Sequence, residues 1–180
     1  MADINRNCED YKRIFARIEK AVAAIPARVA VLAVNFSKDR FVKKNWYDIT
    51  EKRWKASRKK KGSTLVASGR LKRSIRKISV KPTQVIFGTD VPYARIHNEG
   101  GTINGTEQVR SHTRRQHRRR SYRRKGKVIK AQTVKAYRVK SFSRKYNRKF
   151  AKRQFIGKSR ELDRRIDNLS TNEINRAIKG

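Results

Sequence analysis

The 180-residue sequence predicts an α+β protein, with N-terminal helices, a small antiparallel sheet, a C-terminal helix and a long basic hairpin or loop arm. Three observations carry this. Apolar residues recur at helical spacing near both ends, and they alternate over short stretches between. No acidic residue stands between Glu107 and Glu161. The length fits one domain, so the arm reads as an insertion at about residues 102–150.

The first element is an amphipathic helix through Tyr11, Phe15, Ile18, Val22 and Ile25, which Pro26 is expected to interrupt. Helical spacing resumes over Arg28–Lys43 through Val29, Leu32, Ala33 and Phe36. An aromatic, basic stretch with Trp46, Tyr47 and Trp54 follows, then Lys59–Gly62 as a solvated loop. Ser63–Ile75 sets Leu65, Val66, Leu71 and Ile75 around Gly69. Ile78 and Val80, then Val85 and Phe87, mark two strands joined by a turn at Lys81–Gln84. Val91–Asn98 is a short apolar element, and Glu99–Gly105, with three glycines, reads as a turn. Val134, Ala136 and Arg138 alternate with Lys135, Tyr137 and Val139, a strand or hairpin arm within Lys127–Phe142. Leu162, Ile166 and Leu169 share one face of a last helix over Ser159–Ile178. Ser159 is placed to cap it, Glu161 and Asp163 to face its positive end, and Ser170–Glu173 has capping-box spacing for a restart. No internal repeat is visible.

Charge dominates the composition. Fifty Lys and Arg against 14 Asp and Glu give +36, with 36% apolar residues. Such a surface repels itself and calls for polyanionic or acidic company, either nucleic acid or an acidic protein face. No basic stretch carries the apolar face that membrane binding needs, and none approaches the ~18 apolar residues that span a bilayer. The single Cys8 rules out an intrachain disulfide and a cysteine zinc site. With no apolar run at the start, a reducing, cytoplasm-like compartment is expected.

His97-Asn98-Glu99 is the one crowded polar cluster. A metal-dependent nuclease would need a histidine base with further metal ligands, yet His112 and His117 lie inside an arginine run that repels divalent cations. We read His97 and Asn98 as ending a short helix completed by Gly100 and Gly101. No catalytic residue, metal ligand or cofactor is expected. The candidates for polyanion or partner contact are Arg110, Arg114, Arg115, Arg118, Arg119, Arg120, Arg123, Arg124, Lys125 and Lys127. Blocks of like charge this dense are usually disordered until they meet a partner. Tyr122 and Tyr137 are placed to stack on bases.

Three segments occur in a telling order. Leu65-Val-Ala-Ser68-Gly69-Arg-Leu71-Lys-Arg-Ser74-Ile75 comes first. Gly88-Thr89 then leads to Tyr93-Ala94, His97-Asn98 and Gly100-Gly101. Arg153-Gln154-Phe155-Ile156-Gly157 precedes the last helix. The set resembles the phage virion-morphogenesis family of tail-completion and head–tail joining proteins, with Gln154 where that family usually has proline. The resemblance implies helices packed on a small antiparallel sheet and a virion protein of the neck or tail, assembled in the host cytoplasm. It implies a homo-oligomeric ring of six or twelve copies around a DNA channel, flanked by portal, adaptor or tail terminator and tube proteins. Under it, Tyr93 and Ala94 pack the short helix and the glycine pair turns the chain into the arm. The alternative is a basic nucleic-acid-binding protein of ribosomal or nucleoid type, which accounts for the charge but not for the three ordered segments.

A ring ~30 Å tall faces only about 18 phosphates of duplex DNA, whereas six copies would carry about +216. Part of the arm is therefore expected to meet acidic protein faces.

Overall fold

The computed structural model describes residues 2–57 and 63–179, the side chains from residue 9 onward; the expected Lys59–Gly62 loop lies outside the described residues. The chain forms two compact units, one of the segments up to Gly101 and from Phe150 on, the other Thr102–Lys149.

The first unit starts with α1 (Ala2–Lys43), a single helix where two were expected. Pro26 lies inside it and does not break it. An interior proline costs about 3 kcal/mol, which packing offsets: α4 (Arg160–Lys179) lies along α1, and Arg28, just beyond the proline, pairs with Glu173. An 18-residue window of α1 reaches a mean hydropathy of 1.4, long and apolar enough to cross a membrane, contrary to the expectation from the sequence. Part of that character supplies the core, where Ala30, Ala33, Phe36 and Phe41 are buried, while most of the window is not buried. Tyr11 and Phe15 of the expected apolar stripe stay exposed, each at 64%.

α1 ends with Lys44 in the left-handed conformation (φ 56°), its N–H returning to the Arg40 carbonyl. A small hairpin follows, β1 (Asn45–Tyr47) against β2 (Glu51–Arg53). Then come α2 (Arg70–Ser74), β3 (Arg76–Lys81), β4 (Gln84–Gly88) and α3 (Ala94–Glu99). β3 and β4 pair antiparallel around the expected turn, Lys81 opposite Gln84. α4 runs unbroken past Ser170, so no restart occurs. Ser159 caps it as expected, accepting from the Leu162 N–H at 3.2 Å, and Asp48 accepts from the Arg160 N–H at 2.7 Å.

Two apolar clusters hold this unit. Phe41, Trp54, Leu71, Ile75, Val91, Ala94 and Phe155 form one; Ala33, Phe36, Trp46 and Leu162 form the other, and Phe87 packs against both. Phe155, 1% exposed, meets Phe41 with ring centroids 4.9 Å apart.

The second unit is a ribbon. β5 (Gly101–Val109) pairs with β12 (Phe142–Phe150), β6 (His112–Arg114) with β11 (Tyr137–Val139), β7 (His117–Arg119) with β10 (Gln132–Val134), and β8 (Tyr122–Arg124) with β9 (Lys127–Ile129). The dense basic block is thus paired strand rather than disorder. Lys125 and Gly126 close the tip, both with positive φ (48° and 77°), as a two-residue primed turn requires. The expected turn over Glu99–Gly105 is shorter, because the chain is already in β5 from Gly101. Gly105 serves packing instead, since a Cβ there would lie 2.6 Å from the Tyr146 hydroxyl.

Phe155→Ala should lower the unfolding free energy by about 3–5 kcal/mol, read by denaturant titration. A loss below about 1 kcal/mol would mean that the Phe41–Phe155 contact is not central to the core.

Candidate functional site

The three sequence segments meet in the first unit around α3. Asn98 is the hub. Its side-chain oxygen accepts from the backbone N–H groups of Phe155 (2.9 Å) and Ile156 (3.0 Å), and its amide donates to the Ile156 carbonyl (3.0 Å). One residue earlier, the His97 carbonyl accepts from the Arg153 N–H at 2.8 Å. The Arg153 guanidinium donates to the Lys55 carbonyl at 3.0 Å, and the Trp54 indole N–H to the Gln154 carbonyl at 2.9 Å. Residue 154 contributes through its backbone, so glutamine satisfies that contact as proline would.

Gly100 caps α3 with φ 77°, its N–H on the Ile96 carbonyl, and any Cβ there would lie 2.7 Å from the Lys152 nitrogen. Gly69 has φ 74° at the start of α2, where its carbonyl accepts from the Arg73 N–H. The Ser68 carbonyl accepts from the Arg73 guanidinium at 2.9 Å, and Leu71 is buried. The Ser74 and Thr89 hydroxyls share a 2.6 Å hydrogen bond, tying the first segment to the second just past Gly88. Gly157 is held close to the Gln154 amide. Ala94 is buried as the resemblance implies, but Tyr93 is 41% exposed and meets only the edge of His97, at 6.0 Å.

Each polar side chain of the crowded cluster has a local partner or contact. The His97 ring stands edge-on between Tyr93 and Phe150, Asn98 makes the three bonds above, and Glu99 pairs with Arg95 at 3.0 Å. His97 Nδ1 is buried without a hydrogen-bond partner among the described residues. Burial, reinforced by the positive Arg153, lowers the imidazole pKa. His97 and Arg153 also line a cavity of about 290 Å³ with Ser68, Gly69 and Tyr93. Among the described residues, no group of three His, Cys, Asp or Glu side chains is arranged to hold a metal ion.

The contact candidates all lie in the ribbon. Arg114, Arg118, Arg119, Arg123, Arg124 and Lys127 sit in its short strands; Arg110, Arg115 and Arg120 sit in the gaps between strands, and Lys125 at the tip. Arg114 donates to the Tyr137 hydroxyl at 3.0 Å, and the Arg119 guanidinium lies 4.5 Å over the Tyr122 ring. Both tyrosines expected to stack on bases are thus engaged within the ribbon. Glu107, the ribbon's only carboxylate, is held by Arg144 and by Arg148 at 2.9 Å.

Sequence reasoning passed over two features. Asn98 was legible only as one motif position, since its bonds reach residues 57 and 58 positions away. The ribbon also has an internal period. Paired strands of three residues alternate with two-residue gaps, so Arg110, Arg115, Arg120, Lys125, Lys130, Lys135, Lys140 and Lys145 recur every fifth residue. The expectation of no internal repeat is therefore corrected. Five is neither the helical nor the strand period, so periodicity templates pass over it.

An α+β unit whose three ordered segments lock together at one corner, with a basic ribbon inserted there, has the make-up of an assembly protein. The sequence profile of the phage virion morphogenesis family matches residues 44–175, 132 of the 180 residues, and the chain belongs to that family. No curated protein and no solved structure matches it.

Asn98→Ala leaves two backbone N–H groups and one carbonyl without their partner, and should cost about 2–5 kcal/mol in unfolding free energy. Asn98→Asp keeps the two accepted bonds but turns a carboxylate oxygen onto the Ile156 carbonyl. It should therefore recover part of the loss only once protonated, below about pH 4; a loss equal to alanine's even there would mean that the two accepted bonds contribute little.

The folded state disfavours charged His97 more than the unfolded state does. Stability from this group is therefore full above the ordinary imidazole pKa and falls as pH drops through the lowered folded value. His97→Phe should lose less of its thermal midpoint than the parent between about pH 7 and about pH 5. Parallel losses would show that His97 titrates alike in both states.

Proposed function

We propose that this protein of phage virion morphogenesis is a structural component of the neck or tail junction. It would form a homo-oligomeric ring, of six or twelve copies, around the DNA channel and join or complete the head–tail connection without catalysis. The observation that carries this reading is the lock of the three family segments at the root of the ribbon. Asn98, His97 and Arg153 join the two ends of the first unit's chain by backbone-directed bonds, which is how a rigid body holds a long inserted element. Asn98 and Arg153 spend their side chains on that lock, and His97 joins it through its backbone carbonyl.

The exposed Tyr11 and Phe15 on α1 favour self-association, because a single chain leaves them in water. Portal, adaptor and tail proteins with acidic faces are the neighbours this reading assigns. The charge that channel DNA does not neutralise would meet those faces, so docking should weaken strongly with salt.

Mass spectrometry and immunolabelling of purified virions test the assignment. Six or twelve copies per particle at the head–tail junction are expected; absence from particles would overturn it. Docking onto the isolated neighbour should weaken at least tenfold between about 50 and about 300 mM salt, and an unchanged affinity would remove the electrostatic clamp.

A further inference from the structure

The ribbon's register is constant. Val139 pairs with His112, Val134 with His117 and Ile129 with Tyr122, each partner five residues further along on its strand. No residue is gained or lost at the gaps, so the two-residue gaps stand opposite one another. Arg110-Ser111 faces Lys140-Ser141, Arg115-Gln116 faces Lys135-Ala136, and Arg120-Ser121 faces Lys130-Ala131. Lys125-Gly126 at the tip continues the series. Each gap thus holds one cation from each strand, always followed by a small or uncharged residue. Every one of these residues is exposed.

The gaps are built alike. His112 Nδ1 donates to the Arg110 carbonyl at 3.0 Å, and His117 Nδ1 repeats this on the Arg115 carbonyl at 3.2 Å. Between gaps, the strands keep their outer residues on one face. Arg114, Tyr137, His117, Arg119 and Val134 line one open groove of about 460 Å³, so that face runs on across a gap. The ribbon is therefore a series of cationic stations at a fixed step. Strand residues rise ~3.3 Å each, which puts the stations at most about 16–17 Å apart.

We propose that the ribbon is a duplex-DNA track, whose stations contact phosphates at intervals of about half a helical turn. Two steps of the ribbon, ten residues, span about 33 Å, and one turn of B-form DNA spans about 34 Å. From Arg110 to the tip the track covers about 50 Å, or about 15 base pairs.

Three further observations favour a duplex over other polyanions. The ribbon holds 18 Lys and Arg against one Glu, and 11 of the 18 are arginine, whose planar fork suits phosphate oxygens. The Tyr122 and Tyr146 rings each carry an arginine over one face, Arg119 and Arg148, and Tyr137 is held at its hydroxyl by Arg114, which reduces what the ribbon offers to unstacked bases. A fixed step along a ribbon of constant register also matches a periodic backbone, which a folded protein's acidic face does not present. The inference stands apart from the position assigned in the virion, because it is read with the isolated full-length protein and DNA.

The test is fluorescence anisotropy with a labelled 30-base-pair duplex of mixed sequence. Affinity should fall about 10³–10⁵-fold from 50 to 200 mM salt, as expected for 6–10 phosphate contacts. It should rise as the duplex is lengthened to about 15 base pairs and then level off. Removing one station with Arg115→Gln and Lys135→Gln should weaken binding at least tenfold more than removing two strand cations with Arg118→Gln and Arg138→Gln. Equal losses would overturn the station geometry. Tighter binding to single-stranded DNA, or to polyglutamate of equal charge, would overturn the duplex as partner.

Because a variant ribbon can misfold, the salt slope of binding by the parent protein gives a second readout. The slope should steepen as the duplex is lengthened from about 5 to about 15 base pairs and then stay constant; a slope already full at about 5 base pairs would again reject the track.

Discussion

Everything in the first unit turns on the bonds that Asn98 makes to Phe155 and Ile156. The 48-residue insertion separates α3 from the segment that must close the core, and loop entropy alone would let those ends drift. A single amide, accepting twice and donating once, holds the returning backbone where Phe155 reaches Phe41. The tight approach of Gly100 to Lys152 and the left-handed turn at Gly100 are the geometric conditions for that closure. The crowded polar stretch is thus a fastening, and its close packing half-buries His97 and lowers the imidazole pKa.

The ribbon meets a different constraint. It has almost no core, and most of its residues are exposed. Like charges on paired strands repel, so its order comes from cross-strand backbone bonds, the primed turn at Lys125-Gly126, and arginine contacts with Tyr122, Tyr137 and Tyr146. Only near its root does a carboxylate intervene, with Glu107 between Arg144 and Arg148. The ribbon is thus poor in burial and rich in one sign of charge.

The first unit and the ribbon divide the labour that the family implies. One is a packed body with buried aromatic contacts, and its long helix carries apolar surface into solvent at Tyr11 and Phe15. The other is a paired ribbon dense in positive charge.

The sequence by itself determined the α+β class, the cap at Ser159, the strand pair around Lys81–Gln84, the basic insertion and the family. All of these rest on local rules: capping, alternation, charge runs and the order of short motifs. Only the tertiary structure decided that α1 runs through Pro26, because α4 lies too far along the chain for periodicity to register its packing. It also decided that the charged arm is ordered, and that its cations stand in opposed gaps five residues apart. A local reading sees repulsion between neighbours; pairing with residues as far as 27 positions away, and farther in β5 and β12, supplies the bonds that overcome it. Asn98 belongs to the same class, an ordinary polar residue in sequence whose role exists only where distant backbone comes to meet it.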